Sequence, residues 1–364
     1  MRKLIFDYVS IEITRRCNLK CRHCLRGDAQ DVDIDLRTID ALVEQTAKIY
    51  NLSFTGGEPT LNVPAMAYTL DALRGHKVPL HSVEVATNGM VLSSEFVKAV
   101  KEFSRYIAET GASGTAVSVG ISKDRYHQGA DPDAALAFYQ RELAGVAAVK
   151  FMRRGDVPVA IGRGRGLADG MPPPFQGSIP HQIETLEAGK PCGCKERDLW
   201  PTPQAGEIIV CCRLSLSAHG DLALCSNHEG EYAAEDSHRN LVICNLSPDT
   251  APKDRDIDRG ILEYNKRFPT CLEAIAQEGN MQTAEYVNHP RRAIEDFRRA
   301  YQLMQLDPSA KAQLLAQCPG LEEQFEMFLG ALDIVECFPD EYLAEVVKRN
   351  FELLGGSYVV FENG

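Results

Sequence analysis

Three cysteines near the start of the chain have the spacing of a metal-binding loop. Cys17, Cys21 and Cys24 follow the pattern C-x3-C-x2-C, directly after a run of alternating apolar residues. Thiolates are soft ligands, and three of them can hold three irons of a [4Fe–4S] cluster while the fourth iron keeps an open position. A zinc site that adds His23 is the alternative, although the adjacent His23 and Cys24 strain tetrahedral closure. We call residues 17–24 the cysteine loop.

A glycine-rich loop follows the second predicted strand. Gly56, Gly57, Glu58 and Pro59 stand together at this position. Two glycines let the backbone approach a ligand closely, and the proline stiffens the exit of the turn. Since α/β folds place their chemistry at the carboxyl ends of parallel strands, we expect this loop to lie beside the cysteine loop.

The elements that must hold these loops alternate between strand and helix patterns. Apolar residues with helical spacing follow the cysteine loop at Leu36, Ile39, Val43, Thr46 and Ile49. Alternation of the two patterns predicts βαβ units and a parallel sheet. The predicted strands are Tyr8–Ile13, Leu52–Thr55, Val83–Ala86, Ala116–Ile121, Ala147–Phe151 and Val157–Ile161.

The character of the sequence changes twice, which predicts three domains at residues 1–170, 171–250 and 251–364. The middle region follows three prolines and holds six of the 12 cysteines. Within it, Ile208–Ser217 and Asp221–Cys225 flank Gly220 and read as a β-hairpin. From about Ile257 onward the apolar spacing is helical.

Composition limits the classes of protein that fit this chain. It has 364 residues and a formal net charge of −12, which disfavours general binding to nucleic acid or to anionic membranes. No run of about 18 apolar residues predicts a membrane span, and the first residues lack a secretory signal. We therefore expect a cytoplasmic protein, in which 12 cysteines favour metal binding or catalysis over disulfides.

Three segments together resemble the radical S-adenosylmethionine (SAM) superfamily. They are Thr14–Cys24 with the cysteine motif, Thr55–Thr60 with Gly-Gly-Glu-Pro, and Thr87–Gly89. The resemblance covers about the first half of the chain. It implies an α/β fold, a partial (β/α)6 TIM-like barrel with a [4Fe–4S] cluster at its mouth. Its activity would be reductive cleavage of SAM at the open iron, giving a 5′-deoxyadenosyl radical that abstracts hydrogen from a substrate.

The same resemblance implies which residues contact SAM. Thr55, Gly56, Gly57 and Glu58 would lie against its amino group. The ribose and carboxylate would be contacted by residues that follow the later strands. These residues are Asn88, Ser122, Asp124 and Arg163.

Two of the residues after the fourth and sixth strands, His127 and Arg163, have alternative interpretations. Arg163 could grip a substrate carboxylate in a bidentate manner, or it could lie in a solvated, glycine-rich turn. Tyr126 and His127 follow the fourth strand and face the same mouth. His127 is a candidate proton donor or substrate contact, and the alternative is an ordinary surface histidine.

The cysteine-rich middle region resembles a divergent auxiliary-cluster extension of the SPASM or twitch type. It lacks the later C-x2-C step of the full pattern, so a single second iron–sulfur cluster is favoured, with a structural zinc site as the alternative. Either Cys192 or Cys244 would complete the ligand set. The candidate ligands are Cys192, Cys194, Cys211, Cys212 and Cys225.

A peptide is the favoured substrate, because the extension resembles that of peptide-modifying members. A small metabolite or a nucleotide is the second interpretation, and a non-catalytic zinc-binding scaffold protein is the third. The resemblance also implies an external one-electron reductant of the flavodoxin or ferredoxin type.

Overall fold

Within the residues that the structure describes, a largely parallel, nine-stranded sheet carries the fold. The strands are β1 Lys3–Thr14, β2 Thr46–Gly56, β3 Leu80–Thr87, β4 Val117–Ser122, β5 Ala148–Met152, β6 Thr185–Glu187, β7 Glu207–Leu216, β8 Asp221–Leu224 and β9 Val242–Asn245. They lie in the order β5-β4-β3-β2-β1-β7-β8-β9, with β6 paired to β7. Helices follow β1 to β4 along the chain, so these strands form the βαβ series that the alternating patterns predicted.

The computed structural model describes only part of the chain. The statements that follow concern these residues alone. The described residues are 3–24, 26–110, 116–123, 126–127, 129, 131–152, 163, 182–183, 185–187, 204–224 and 241–268.

Strand β1 lies inside the sheet because it has parallel partners on both sides. It pairs with β2 from Leu4 to Thr14 and with β7 from Lys3 to Ile11. Most of its residues are buried, as expected of a parallel strand that is covered on both faces. The carboxyl ends of β1, β2, β3, β4 and β7 therefore meet at one edge of the sheet.

Five helices accompany the sheet, and short polar side chains begin most of them. Asp35, Ser93, Asp131 and Asp256 each accept a hydrogen bond from a backbone N–H of the first helical turn. Two 3₁₀ turns lie at Pro59–Leu61 and Pro252–Arg255. The helices are α1 Leu36–Val43, α2 Val63–Gly75, α3 Ser94–Glu109, α4 Pro132–Glu142 and α5 Ile257–Asn265.

The predicted helix between the first two strands is too long. In the structure this helix ends at Val43. Thr46 and Ile49 belong to β2, where they pair with Leu4 and Phe6. Both are β-branched residues that pack well on a pleated sheet, and over so few residues a three-residue step does not separate helix from strand. Pairing with β1 decided the structure here.

The predicted α/β fold is confirmed, and within the described residues the sheet does not close into a barrel. The predicted sixth strand at Val157–Ile161 lies outside those residues. Strands β7 and β8 pair antiparallel around Gly220. The predicted cysteine-rich extension as a whole and the helices beyond residue 268 are not confirmed, because most of their residues are not described.

The chain divides into two compact units. The first comprises Met1–Gly177, Ile183–Ala188 and Pro203–Arg267 and holds nearly all the described structure. The second comprises Ser178–Gln182, Gly189–Thr202 and Phe268–Gly364. The predicted domain boundaries near residues 170 and 250 stay predictions. Among the described residues, no helix has the length and apolar character that a membrane crossing needs.

Candidate functional site

A short ladder of backbone hydrogen bonds closes the base of the cysteine loop. The Arg15 N–H donates to the Val32 carbonyl at 2.7 Å, and the Gln30 N–H donates to the Arg15 carbonyl at 3.1 Å. The guanidinium of Arg16 binds both carboxylate oxygens of Asp33 at 2.9 and 2.7 Å. The loop therefore leaves the end of β1 from a fixed base.

The three cysteines lie on this loop as half-buried free thiols. Its turns are held by the Cys24 N–H, which donates to the Cys21 carbonyl at 3.2 Å, and the Gly27 N–H, which donates to the Cys24 carbonyl at 3.2 Å. The Leu19 N–H points at the Cys17 sulfur at 3.4 Å. Burial raises the pKa of the Cys17 thiol, and the Leu19 N–H acts in the opposite direction.

This donor set fits an iron–sulfur cluster. Three accessible thiols on one polar loop are the ligands that such a cluster takes, and each thiolate binds a different iron. Within the described ranges, no three His, Cys, Asp or Glu side chains are grouped so that they could hold a single metal ion.

The glycine-rich loop packs directly against the cysteine loop. The Gly57 N–H donates to the Thr14 carbonyl and the Glu58 N–H to the Arg16 carbonyl, both at 2.8 Å. A Cβ atom on Gly57 would lie 2.2 Å from the Arg16 oxygen, and one on Gly56 would lie 2.5 Å from the Thr14 oxygen. The two glycines thus permit the close approach of the two loops. Their predicted contact with SAM, like that of Thr55, stays a prediction.

The Glu58 carboxylate is turned inward, with 1% of the residue exposed. It accepts hydrogen bonds from the Thr60 hydroxyl at 2.6 Å, the Thr87 hydroxyl at 2.7 Å and the Asn88 N–H at 2.7 Å. Burial raises the pKa of the Glu58 carboxyl, against the lowering effect of these hydrogen bonds. Glu58 therefore ties the end of β2 to the end of β3.

The side chain of Asn88 connects β3 to the cysteine loop. Its amide nitrogen donates to the Asn18 side-chain oxygen at 2.8 Å and lies 3.9 Å from the Cys17 sulfur. Its amide oxygen accepts from the Met90 N–H at 2.9 Å. Together with Glu58, this side chain makes the ends of β1, β2 and β3 one connected structure.

Residues after β4 also reach the cysteine loop. The His23 ring lies against Tyr126 and His127, with ring centroids 4.8 and 5.1 Å apart. The Arg163 N–H donates to the Cys24 carbonyl at 3.0 Å, and its guanidinium lies 3.6 Å from Asp28. The structure thus brings three sequence-predicted residues, Tyr126, His127 and Arg163, to the cysteine loop. Ser122 lies half-buried at the end of β4, and Asp124 is outside the described residues.

The structure also contains a buried ionic cluster that the sequence did not predict. Glu12 is 2% exposed and forms ion pairs with Arg15 and Arg26. Arg26 also donates to the Thr55 hydroxyl at 2.7 Å, and the Ala218 N–H donates to Glu12 at 3.0 Å. The only sequence signal was a charged residue, Glu12, within the predicted strand Tyr8–Ile13. The contacts of Asn18 and His23 carried no signal beyond their place in the motif.

The candidate auxiliary ligands are mostly not described. Cys192, Cys194 and Cys225 lie outside the described residues, as does the side chain of Cys211. Cys212 is half-buried on β7. The alternative ligand Cys244 is 8% exposed on β9, and burial raises the pKa of its thiol to about 12. Cys244 is therefore buried on β9, and its part in a ligand set stays a prediction.

Among solved structures, native anSMEcpe with bound AdoMet and Cp18Cys peptide aligns with the described fold. The alignment covers 72% of this chain and 83% of that one, at 14% identity and a TM-score of 0.42.

Sequence comparison finds relatives of this chain. The GTP 3′,8-cyclase of Chlorobaculum tepidum is 34% identical over 95 residues, which are 24% of this chain and 28% of that protein. The GTP 3′,8-cyclase of Acidothermus cellulolyticus is 25% identical over 291 residues, which are 73% of this chain and 74% of that protein. Residues 11–127, which contain the cysteine loop, match the profile of the Radical SAM superfamily. These residues identify a radical SAM domain within the chain, and the cofactors of that superfamily are a [4Fe–4S] cluster and SAM.

Proposed function

We propose that this protein is a radical SAM enzyme in which Cys17, Cys21 and Cys24 hold the [4Fe–4S] cluster. When bound, the cluster and SAM supply an electron for cleavage of the sulfonium and a 5′-deoxyadenosyl radical for hydrogen abstraction from a substrate. The chain itself binds and orients these groups and excludes water from them.

One observation carries this proposal, namely that three separate segments of the chain converge on the loop with the thiols. Gly57 and Glu58 bond to the backbone just before Cys17. Asn88 bonds to Asn18, and Arg163 bonds to Cys24. A loop held from three sides keeps its thiols in a fixed arrangement, which a cluster with one open iron requires.

The other candidate residues take roles around this loop. Thr55, Gly56, Gly57 and Glu58 form the side on which the SAM amino group would bind. We assign Ser122, Asp124 and Arg163 to its ribose and carboxylate. The Arg163 bond to Cys24 supports its part of this assignment.

Tyr126 and His127 are proposed to meet the substrate. Their rings lie against His23, inside the cysteine motif, so both are near the reacting centre. His127 would hold or move a proton at its imidazole. Cys192, Cys194, Cys211, Cys212 and Cys225 remain the proposed ligands of an auxiliary cluster or zinc ion.

The chain spans only 28% of the length of the Chlorobaculum tepidum GTP 3′,8-cyclase, so the substrate is a proposal. A peptide or another small molecule remains the lead. A nucleotide is the second candidate, favoured by the alignment with a GTP 3′,8-cyclase over 73% of this chain. Incubation of the reduced enzyme with SAM and GTP distinguishes the two candidates. Only an enzyme that acts on a nucleotide would form more 5′-deoxyadenosine when GTP is added and would yield a modified nucleotide.

We further propose that a flavodoxin or ferredoxin supplies the electron and that the enzyme works in the cytoplasm, where thiols stay reduced.

The cluster assignment is tested by Cys21→Ala, with Cys244→Ala as the matched control. Two remaining thiolates hold the cluster poorly, so Cys21→Ala should lose most iron and sulfide and all SAM cleavage. Cys244 lies on β9, three strands from β1 in the sheet order, and its variant should keep SAM cleavage. The measurements are iron and sulfide content after anaerobic reconstitution, and 5′-deoxyadenosine by liquid chromatography. Wild-type protein that holds only zinc, or a Cys21→Ala variant that still forms 5′-deoxyadenosine, would refute the proposal.

A further inference from the structure

The side-chain amide of Asn88 is directed entirely at protein atoms. An amide nitrogen has two N–H donors. Here it lies 2.8 Å from the Asn18 side-chain oxygen and 3.9 Å from the Cys17 sulfur, the long end of the range for a hydrogen bond to sulfur. The amide oxygen accepts from the Met90 N–H at 2.9 Å. This pattern leaves neither N–H for SAM.

The orientation of this amide is fixed by the backbone that carries it. The Asn88 N–H donates to the Glu58 carboxylate at 2.7 Å, and Asn88 is 6% exposed. The neighbouring Gly89 N–H donates to the Thr87 hydroxyl at 3.1 Å, and that hydroxyl donates to Glu58 at 2.7 Å. Glu58 thus holds the strand end from which the amide reaches Cys17.

Cys17 is the one thiol of the three with N–H groups on two sides of its sulfur in the described structure. The Leu19 N–H lies 3.4 Å from it, within the cysteine loop itself. The Asn88 amide approaches from another strand end, 71 residues away in sequence. Hydrogen bonds to cluster sulfurs stabilise the extra negative charge of the reduced cluster and so raise its reduction potential.

We propose that Asn88 is a positioning residue that donates an N–H···S hydrogen bond to Cys17 and thereby raises the reduction potential of the cluster. This inference rests on the proposed function, because Cys17 must be a cluster ligand. It replaces the SAM contact that the sequence analysis assigned to Asn88. The redox potential, rather than SAM binding, is the property that this side chain sets.

The test compares Asn88→Ala, Asn88→Asp and Asn88→Gln in the reconstituted full-length protein without SAM. Asn51→Ala is the matched control, because its amide also makes two hydrogen bonds, to Asp7 and Ser82, in the middle of the sheet. The readout is the midpoint potential from a redox titration followed by electron paramagnetic resonance. Iron content and circular dichroism report cluster loading and folding.

We expect the ratio of reduced to oxidised cluster at a fixed potential to fall roughly tenfold in Asn88→Ala, which is ~59 mV for one electron. This ratio should fall further in Asn88→Asp, because the substitution adds negative charge. In Asn88→Gln the ratio should recover part of the loss. In Asn51→Ala it should match that of the wild type. Cluster loss limited to the Ala and Asp variants also supports the proposal. An unchanged potential in loaded Asn88→Ala, or cluster loss in Asn88→Gln as well, overturns it. Wild-type protein without a cluster would instead refute the proposed function.

Discussion

At the scale of single residues, Gly57 is constrained by space. Three backbone atoms lie within 2.8 Å of the place where its Cβ would stand, namely the Arg16 oxygen and carbon and the Arg15 oxygen. These atoms belong to the backbone at the base of the cysteine loop, and they cannot move aside as the end of a flexible side chain could. A methyl group at this position must therefore displace the loop that carries the thiols.

We predict that Gly57→Ala destabilises the protein by about 1–3 kcal/mol, the usual cost of overpacking, and lowers cluster content. Gly75→Ala is the control, because nothing lies within 4 Å of its Cβ position at the end of α2. Thermal unfolding and iron content measure the two effects. Equal behaviour of the two variants would show that the two loops do not need this close approach.

At the scale of elements, Glu12 joins three parts of the fold. Its carboxylate lies on β1, its partners Arg15 and Arg26 lie on either side of the cysteine loop, and the Ala218 N–H comes from the turn between β7 and β8. All three contacts are buried or nearly so, where a charge without a partner is costly. The parallel pairing of β7 with β1 brings that turn to the same edge as the thiols.

We predict that Glu12→Gln destabilises the protein by about 3 kcal/mol, since it removes a buried carboxylate charge that two largely buried guanidinium groups both bind. Glu102→Gln is the control, because its partners Arg74 and Arg105 lie at the surface of the protein, and it should change stability little. Urea unfolding of both variants gives the comparison. A Glu12→Gln variant as stable as Glu102→Gln would contradict the bridging role of this carboxylate.

At the scale of the whole molecule, buried tyrosines limit stability at high pH. Burial raises the pKa of Tyr139 to about 12 and that of Tyr50 to about 12, from an ordinary value of 10.0. The folded state therefore favours the neutral phenol. The stability that this supplies is fully present below pH 10.0 and is lost as the pH rises towards 12.

We predict that the free energy of unfolding falls between pH 10.0 and 12, and that Tyr139→Phe makes this fall shallower. The variant should also lose about 1 kcal/mol at neutral pH, because the Val91 carbonyl loses its hydroxyl donor. Urea unfolding across this pH range and the difference in tyrosinate absorbance between wild type and variant provide the test. The tyrosinate signal that the variant lacks belongs to Tyr139. If that signal titrates near pH 10.0 in the wild type, the burial of this phenol is contradicted.

The sequence by itself determined the parts that depend on local spacing. The cysteine loop, the glycine-rich loop and β1 to β5 follow from residue types within a few positions, because strand periodicity and ligand spacing are local properties. The carboxyl-edge position of the loops followed from the parallel order of those strands. The length of α1 was not determined locally, because the last residues predicted for this helix pair with β1 instead.

Tertiary structure alone decided which distant residues meet at this edge. Glu12 contacts Ala218 across 206 positions, and Asn88 reaches Cys17 across 71. Such contacts arise when β7 pairs with β1 and the ends of β2 and β3 pack on the cysteine loop, and no local pattern encodes those pairings. The spacing of the thiols is therefore written in the sequence, whereas the hydrogen bonds and charges around them exist only after the strands have assembled.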